Sequence, residues 1–193
     1  VGGTEAAAAP TAKPASEMLS RGVKMEKLPL TREWDKVFPR SDKVEHQKVT
    51  FHNRYGITLA ADLYTPKDMK VGEKRAAIAV SGPFGAVKEQ ASGLYAQQLA
   101  ERGYITLAFD PSFTGESGGN VRNVASPDIN TEDFSAAVDF LATRKDVDAN
   151  RLGILGICGF GGIALNDAAM DTRVKATVSS TTVSYTHLTL PTI

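Results

Sequence analysis

The sequence is poor in the residues most used for metal binding and covalent chemistry, with one cysteine and three histidines in 193 residues. A single thiol excludes an internal disulfide framework and a cysteine-rich metal centre, and it leaves the redox compartment open. Net charge is missing too: 22 Lys and Arg balance 22 Asp and Glu. There is therefore no electrostatic footprint for nucleic acid or for an anionic membrane surface. No apolar run approaches the roughly 20 residues needed to cross a bilayer, and no internal repeat is present. The chain does not open on methionine. Val1 leaves room for a preceding segment, an export signal among the candidates, so localisation stays open between the cytoplasm and the periplasm or exterior. What is present is a 42% hydrophobic, 23% charged chain, the balance of an ordinary domain with a core of its own. A small molecule is the expected partner.

Residues 1–27 read as a linker-like tail, since the Ala-, Pro-, Thr- and Ser-rich start lacks any period of 2 or 3.6 and buries too little to offset its ordering entropy. Leu28 to Asp42 is read as an arm that packs Trp34 and Phe38 on the domain edge. Val44 to Phe51 and Ile57 to Tyr64 alternate apolar and polar residues around Gly56, which predicts an antiparallel hairpin. Lys67 to Lys74 is a charged surface loop. Arg75 to Ser81 and Tyr104 to Asp110 are nearly continuous apolar runs, as in parallel strands buried on both faces. Between them Ala91 to Arg102 predicts a helix with Ala91, Leu94, Tyr95 and Leu99 inward, closed by Gly103. After a long glycine-rich loop, Asn130 or Thr131 caps a helix from Glu132 to Arg144 with Phe134, Ala137, Val138 and Leu141 on one face. Leu152 to Gly156 is a strand, Gly161 to Met170 a helix, and Val174 to Ser179 starts another strand. The alternation predicts one α/β domain over residues 28–182, a mostly parallel sheet with an N-terminal antiparallel hairpin.

Arg151 to Gly162 (RLGILGICGFGG) is the most informative stretch, a short apolar run that stops at Cys158 among glycines and passes into a helix. Glycines at 156, 159, 161 and 162 let backbone bend and pack closely, as a strand-turn-helix that exposes one nucleophile requires. A thiolate attacks carbonyl carbon well, and a following helix N-terminus favours an anion. Cys158 is therefore the candidate nucleophile; the alternative for a lone cysteine is an inert buried thiol.

Five phrases in order, YGITLAADLYTP, SGPFGAVKEQ, AFDPSFTGESGG, SPDINTEDFSAAVDFL and GILGICGFGG, carry a family resemblance from about Asp35 to Thr182. The chain resembles the α/β-hydrolase superfamily, and within it the dienelactone-hydrolase-like proteins near the Xaa-Pro dipeptidyl-peptidase-like domain and the fungal polyketide-transferase hydrolases. The resemblance implies an α/β-hydrolase fold, here truncated after about the sixth strand, and hydrolysis or acyl transfer at an ester, lactone or related carbonyl, with no metal or organic cofactor. It also implies an oxyanion hole built from the backbone NH of Gly159 and one from the loop after the third strand. Pro83 has no NH, so that donor is Phe84, with Gly85 behind it; the alternative is that Gly82 to Gly85 is only a turn. Phe160 departs from the small residue common at its position.

In this fold the nucleophile is followed by the acid and then the histidine. His46 and His52 precede Cys158, His187 lies in the final stretch, and of the carboxylates after Cys158, Asp167 and Asp171, neither is assigned. The last eleven residues, 183–193 (VSYTHLTLPTI), resemble the translated mosaic-end adapter of transposase-based sequencing libraries; the alternative is a Thr-rich strand. The chain is thus expected to be an inactive fragment whose natural sequence continues past about Thr182, leaving a strand edge and a sheet face uncovered. Lys88 and Glu89 are read as a solvated pair at a helix start; the alternative is that they line the pocket after the oxyanion-hole loop. In the loop with Asp110, Ser112, Glu116 and Ser117, Gly115 and Gly118 suggest tight backbone more than chemistry. The rival to the enzyme reading is a non-catalytic small-molecule binder on the same fold; oligomeric state is left open.

Overall fold

A computed structural model describes residues 26–182, in which the alternating segments form one six-stranded sheet. The stretches 1–25 and 183–193, and with them most of the linker-like tail, the adapter-like tail and His187, lie outside the described residues. The strands are β1 (Val44–His52), β2 (Thr58–Pro66), β3 (Arg75–Ser81), β4 (Ile105–Phe109), β5 (Val147–Ile157) and β6 (Val174–Ser180). Their spatial order is β1-β2-β4-β3-β5-β6. β2 pairs antiparallel with both β1 and β4, and every other pairing is parallel. The hairpin turns where expected, with Gly56 at φ 79°.

Three helices follow the parallel strands: α1 (Ala91–Glu101), α2 (Pro127–Ala142) and α3 (Gly159–Met170). Strand alternation sorts the core into two layers. Ala77 and Ala79 of β3, Ile105, Leu107 and Phe109 of β4, and Leu152 and Ile154 of β5 face α2 and α3, against Phe134, Leu141, Phe160 and Ile163. Val80, Ala108, Leu155 and Ile157 face the other way, with Ala96 and Ala100 of α1.

Two helix readings are corrected. The stripe expected on α1 is only half inward: Ala91 and Leu99 pack partly buried against the core, but Leu94 and Tyr95 are exposed, and the fully buried positions are Ser92, Gly93, Ala96, Gln97 and Ala100. On this side β4 presents Thr106 and Ala108, and small residues on both partners let the helix lie close, with the Thr106 hydroxyl donating to the Ala96 carbonyl at 2.7 Å. Close packing there outweighs burial of two larger side chains. α2 begins at Pro127, earlier than predicted, with Ser126 at its N-cap. Proline suits the first helical position because its missing NH has no helical partner there, and Asn130 reaches back to accept the Ser126 NH at 3.0 Å.

The N-terminal arm packs as expected. Phe38 is buried, and Trp34 meets Phe38 and His46 edge-on at 5.7 and 5.2 Å. At the opposite margin, β6 pairs only with β5 among the described residues. Beside it an apolar trough of about 470 Å³, lined by Ile78, Leu99, Leu155, Ala176 and Val178 among others, stays open on the α1 side of the sheet.

Candidate active site

β5 passes into α3 through a single residue, Cys158, which sits at φ 57°, ψ −123° as the helix N-cap. A non-glycine residue held in that region costs on the order of 1–3 kcal/mol, which the surroundings must offset. Here the Cys158 NH donates to the Ser180 carbonyl of β6 at 2.9 Å, and its carbonyl accepts the Gly161 NH at 3.0 Å. The thiol is free and half-buried. At Gly156 a Cβ would overlap the Phe160 carbonyl, so α3 folds back onto β5 only over a glycine.

The loop after β3 closes on this turn. Gly82, at φ 101°, lies where a Cβ would overlap the Ile157 carbonyl and come within 2.8 Å of the Phe160 Cβ. The Phe84 ring meets Phe160 edge-on at 5.0 Å, and Phe160 continues through Phe134 at 6.1 Å to Phe109 at 5.1 Å. The large residue two positions after Cys158 thus ties the β3 loop to the core, at about 0.5–1.5 kcal/mol per aromatic pair. Gly159 starts α3, and Gly85 is exposed with φ 76°. Turn and loop are brought together at the C-terminal ends of the parallel strands.

Histidines are not brought to Cys158 among the described residues. His46 lies on β1, four strand positions from β5, or roughly 19 Å at the usual strand spacing. Its Nε2 is 2.6 Å from Asp62 Oδ1. His52, at the far end of the same strand, approaches Thr58 at 3.4 Å. Asp171 pairs with Arg173 at 2.5 Å, and Asp167 accepts the Ser135 hydroxyl at 2.6 Å. Burial pushes Asp167 up to about 6.

The expectation of a solvated Lys88–Glu89 pair is overturned. Lys88 is 0% exposed, and its ammonium donates to Asp110 Oδ2 at 2.8 Å and Glu116 Oε2 at 2.7 Å, beside Glu89 at 2.6 Å. Burial lowers its proton affinity, but the Asp110 charge and the three carboxylate partners outweigh that and hold Lys88 well above its ordinary value. Glu116 also binds Lys48 at 2.7 Å, and Lys48 binds Asp35 of the arm at 2.6 Å. Asp35, Glu89 and Glu116 lie within 4.8 Å of one another, a spacing that would suit a cation. The ammonium groups of Lys48 and Lys88 already supply that charge. The sequence held one signal for this network, a carboxylate, Asp110, closing an otherwise apolar strand.

The glycine-rich loop after β4 is tight, as expected: a Cβ at Gly115 would overlap the Asp110 carboxylate. Ser117 donates to the Asp110 carbonyl at 2.7 Å and accepts the Ala60 NH at 2.8 Å. Ser112 and Asn53 both bind buried Asp133, at 2.7 and 2.9 Å, stapling the hairpin turn to α2.

A sheet in this order, antiparallel at its start and parallel beyond, with a strained residue between β5 and its helix, defines an α/β hydrolase. Residues 55–188 match the X-Pro dipeptidyl-peptidase (S15 family), and the chain belongs to that hydrolase family. It is 67% identical over 161 residues to an uncharacterized Pseudomonas aeruginosa protein, PA2218, covering 83% of this chain and 43% of that protein. The crystal structure of PA2218 superposes with a TM-score of 0.80 over 82% of this chain and 49% of the other. A polyketide transferase of Penicillium crustosum is 30% identical over 134 residues, 69% of this chain and 43% of its own. The α/β hydrolase GrgF from Penicillium sp. sh18 is 26% identical with a TM-score of 0.64, over 69% of this chain and 44% of the other. The chain spans less than half the length of these relatives.

Proposed function

We propose that the chain carries the nucleophile and oxyanion hole of a hydrolase or acyl transferase acting on an ester, lactone or related carbonyl, with Cys158 as a nucleophile-elbow cysteine. The observation that carries this reading is the strained Cys158 at the β5–α3 turn, with the β3 loop packed against that turn. The thiolate attacks the carbonyl carbon, forming a sulfur–carbon bond. Negative charge gathers on the carbonyl oxygen, where the NH of Gly159 and that of Phe84, or of Gly85 behind it, stabilise it. Collapse expels the alcohol oxygen and leaves an acyl-cysteine, which water or a second acceptor then releases. The relatives' names, a polyketide transferase among them, fit acyl chemistry at a carbonyl. The substrate is a small carbonyl compound.

The single cysteine makes the test clean. With no histidine brought to Cys158 among the described residues, the chain is expected to acylate once without turning over: incubated with p-nitrophenyl acetate, it gains one acetyl group by intact mass, on Cys158, with release of one equivalent of p-nitrophenolate, and Cys158→Ala loses both. An unmodified wild-type chain whose thiol still alkylates would instead favour a non-catalytic binder.

A further inference from the structure

The loop from Gly82 to Lys88 is held at both ends. Its start is wedged against Ile157 and Phe160. Its end is fixed by a single carboxylate: Asp110 Oδ1 accepts the Lys88 backbone NH at 2.7 Å, and Asp110 Oδ2 accepts the Lys88 ammonium at 2.8 Å. Asp110 is itself anchored, since its NH donates to Ala60 of β2 at 2.9 Å and its carbonyl accepts Ser117. Its Oδ2 also takes the Glu116 NH at 3.0 Å, joining the loops after β3 and β4. From above, α1 clamps the same point, because a Cβ at Gly93 would overlap the Lys88 carbonyl.

A buried ammonium among carboxylates is an expensive way to stabilise a fold, since burying both charges costs nearly what their attraction returns. What the pair supplies is geometry. Asp110 stands at the end of β4 and Lys88 at the end of the span containing Phe84 and Gly85. We infer that Lys88 and Asp110 are positioning residues that set the oxyanion-hole loop relative to Cys158, an inference that rests on the reading of Cys158 and that loop given under the proposed function. The network extends through Glu116, which accepts the Thr31 NH at 2.7 Å, and through Lys48 to Asp35. The arm and the loop therefore share one set of charges.

Two reactions of the sole thiol separate this role from a merely structural one. Acetylation by p-nitrophenyl acetate forms a sulfur–carbon bond at the carbonyl and breaks the aryl ester bond, p-nitrophenolate leaving with the electron pair and the thiol proton going to solvent; it builds charge on the carbonyl oxygen. Alkylation by iodoacetamide displaces iodide and builds no oxyanion. Lys88→Met is expected to slow acetylation about tenfold, less than the roughly 100- to 1,000-fold that outright loss of one oxyanion donor costs, because the donor is displaced and not removed, while alkylation stays within about twofold of wild type at the same pH. Lys88→Arg, which keeps the charge, is expected to recover part of the acetylation rate. Removing the cation strands buried carboxylates and threatens folding, so Lys88→Met combined with Glu116→Gln removes a carboxylate along with it; circular dichroism verifies the fold of each variant. Equal changes in both reactions, or no change in either, would overturn the inference alone. A wild-type chain that alkylates but never acetylates would overturn the hydrolase reading and this inference with it.

Discussion

Cys158 and Asp167 lie nine positions apart, yet their environments ask opposite things of them. Cys158 holds a strained backbone and stays half-buried, whereas Asp167 has ordinary helical backbone and a carboxylate cut off from water. One Asp167 oxygen accepts from Ser135, and the other finds no hydrogen-bond partner among the described residues. Burial, opposed by Ser135 and assisted by the nearby charge of Asp171, raises its pKa from 3.8 to about 6. Between those values the folded chain binds the proton more tightly than the unfolded chain. Stability therefore falls as pH rises from about 4 to 6, and above 6 the full cost of the buried charge is present. Asp167→Asn keeps an acceptor for Ser135 and removes the charge. It is expected to stabilise the chain at pH 7 by on the order of 1 kcal/mol, discounted for partial solvent screening, and by little at pH 4. Thermal melts at the two pH values check this; equal shifts at both would contradict it.

Among the elements, the arm is held by charge as well as by the packing of Trp34 and Phe38. For Asp35 and Glu116 burial acts upward, but hydrogen bonds from Lys36 and Lys48 to the former, and from Lys48 and Lys88 to the latter, outweigh it and hold both at about 2. Carboxyls depressed in the folded state add stability above their ordinary values near 4, and that contribution is lost as pH falls toward 2. The arm is accordingly expected to lift off β1 in acid before the sheet melts. Trp34, the sole tryptophan, reports on this directly, since it packs on Phe38 and His46. Its emission is expected to shift to the red between about pH 4 and 2, ahead of the loss of far-UV circular dichroism. Simultaneous transitions would show that the arm and sheet unfold as one unit.

Over the whole molecule, the two faces of the sheet are unequally covered. Among the described residues, α2 and α3 cover one across β3 and β5, while on the other α1 leaves the β5–β6 margin bare and Val178 52% exposed. An open apolar trough beside a parallel edge that is unpaired among the described residues is a surface for self-association. The 193-residue chain is expected to bind 8-anilinonaphthalene-1-sulfonate and to sediment in part as oligomers at micromolar concentration, and Val178→Lys to reduce both. A monomeric chain that leaves the dye dark would count against an exposed apolar face.

Much of this was legible in the sequence because it rests on local rules. Arg75 to Ser81 reads as a buried parallel strand because Ala76 to Val80 is an unbroken apolar run, and β3 has those bounds. The strand, Cys158 and helix read from GILGICGFGG require only short-range glycine and period arguments, and Cys158 stands between β5 and α3 at φ 57°. Large residues on α2 forecast its buried face because β4 offers large partners, Ile105, Leu107 and Phe109, on that side. The same logic failed at Leu94 and Tyr95 of α1, though it held for Ala91 and Leu99, because the closest face of that helix is chosen by the small residues of β4 opposite it, information held in another segment. Lys88 is the sharper case. In sequence a lysine beside a glutamate is a surface pair, and only folding brings Asp110, from 22 residues on, to within 2.7 Å of its backbone NH. The sequence alone determined the strand–helix alternation, the sheet's antiparallel start and the place of the thiol between a strand and a helix, because periodicity and turn chemistry act over a few residues. Tertiary structure alone decided which charges are buried together, because electrostatic cost depends on burial and on partners that chain order does not reveal.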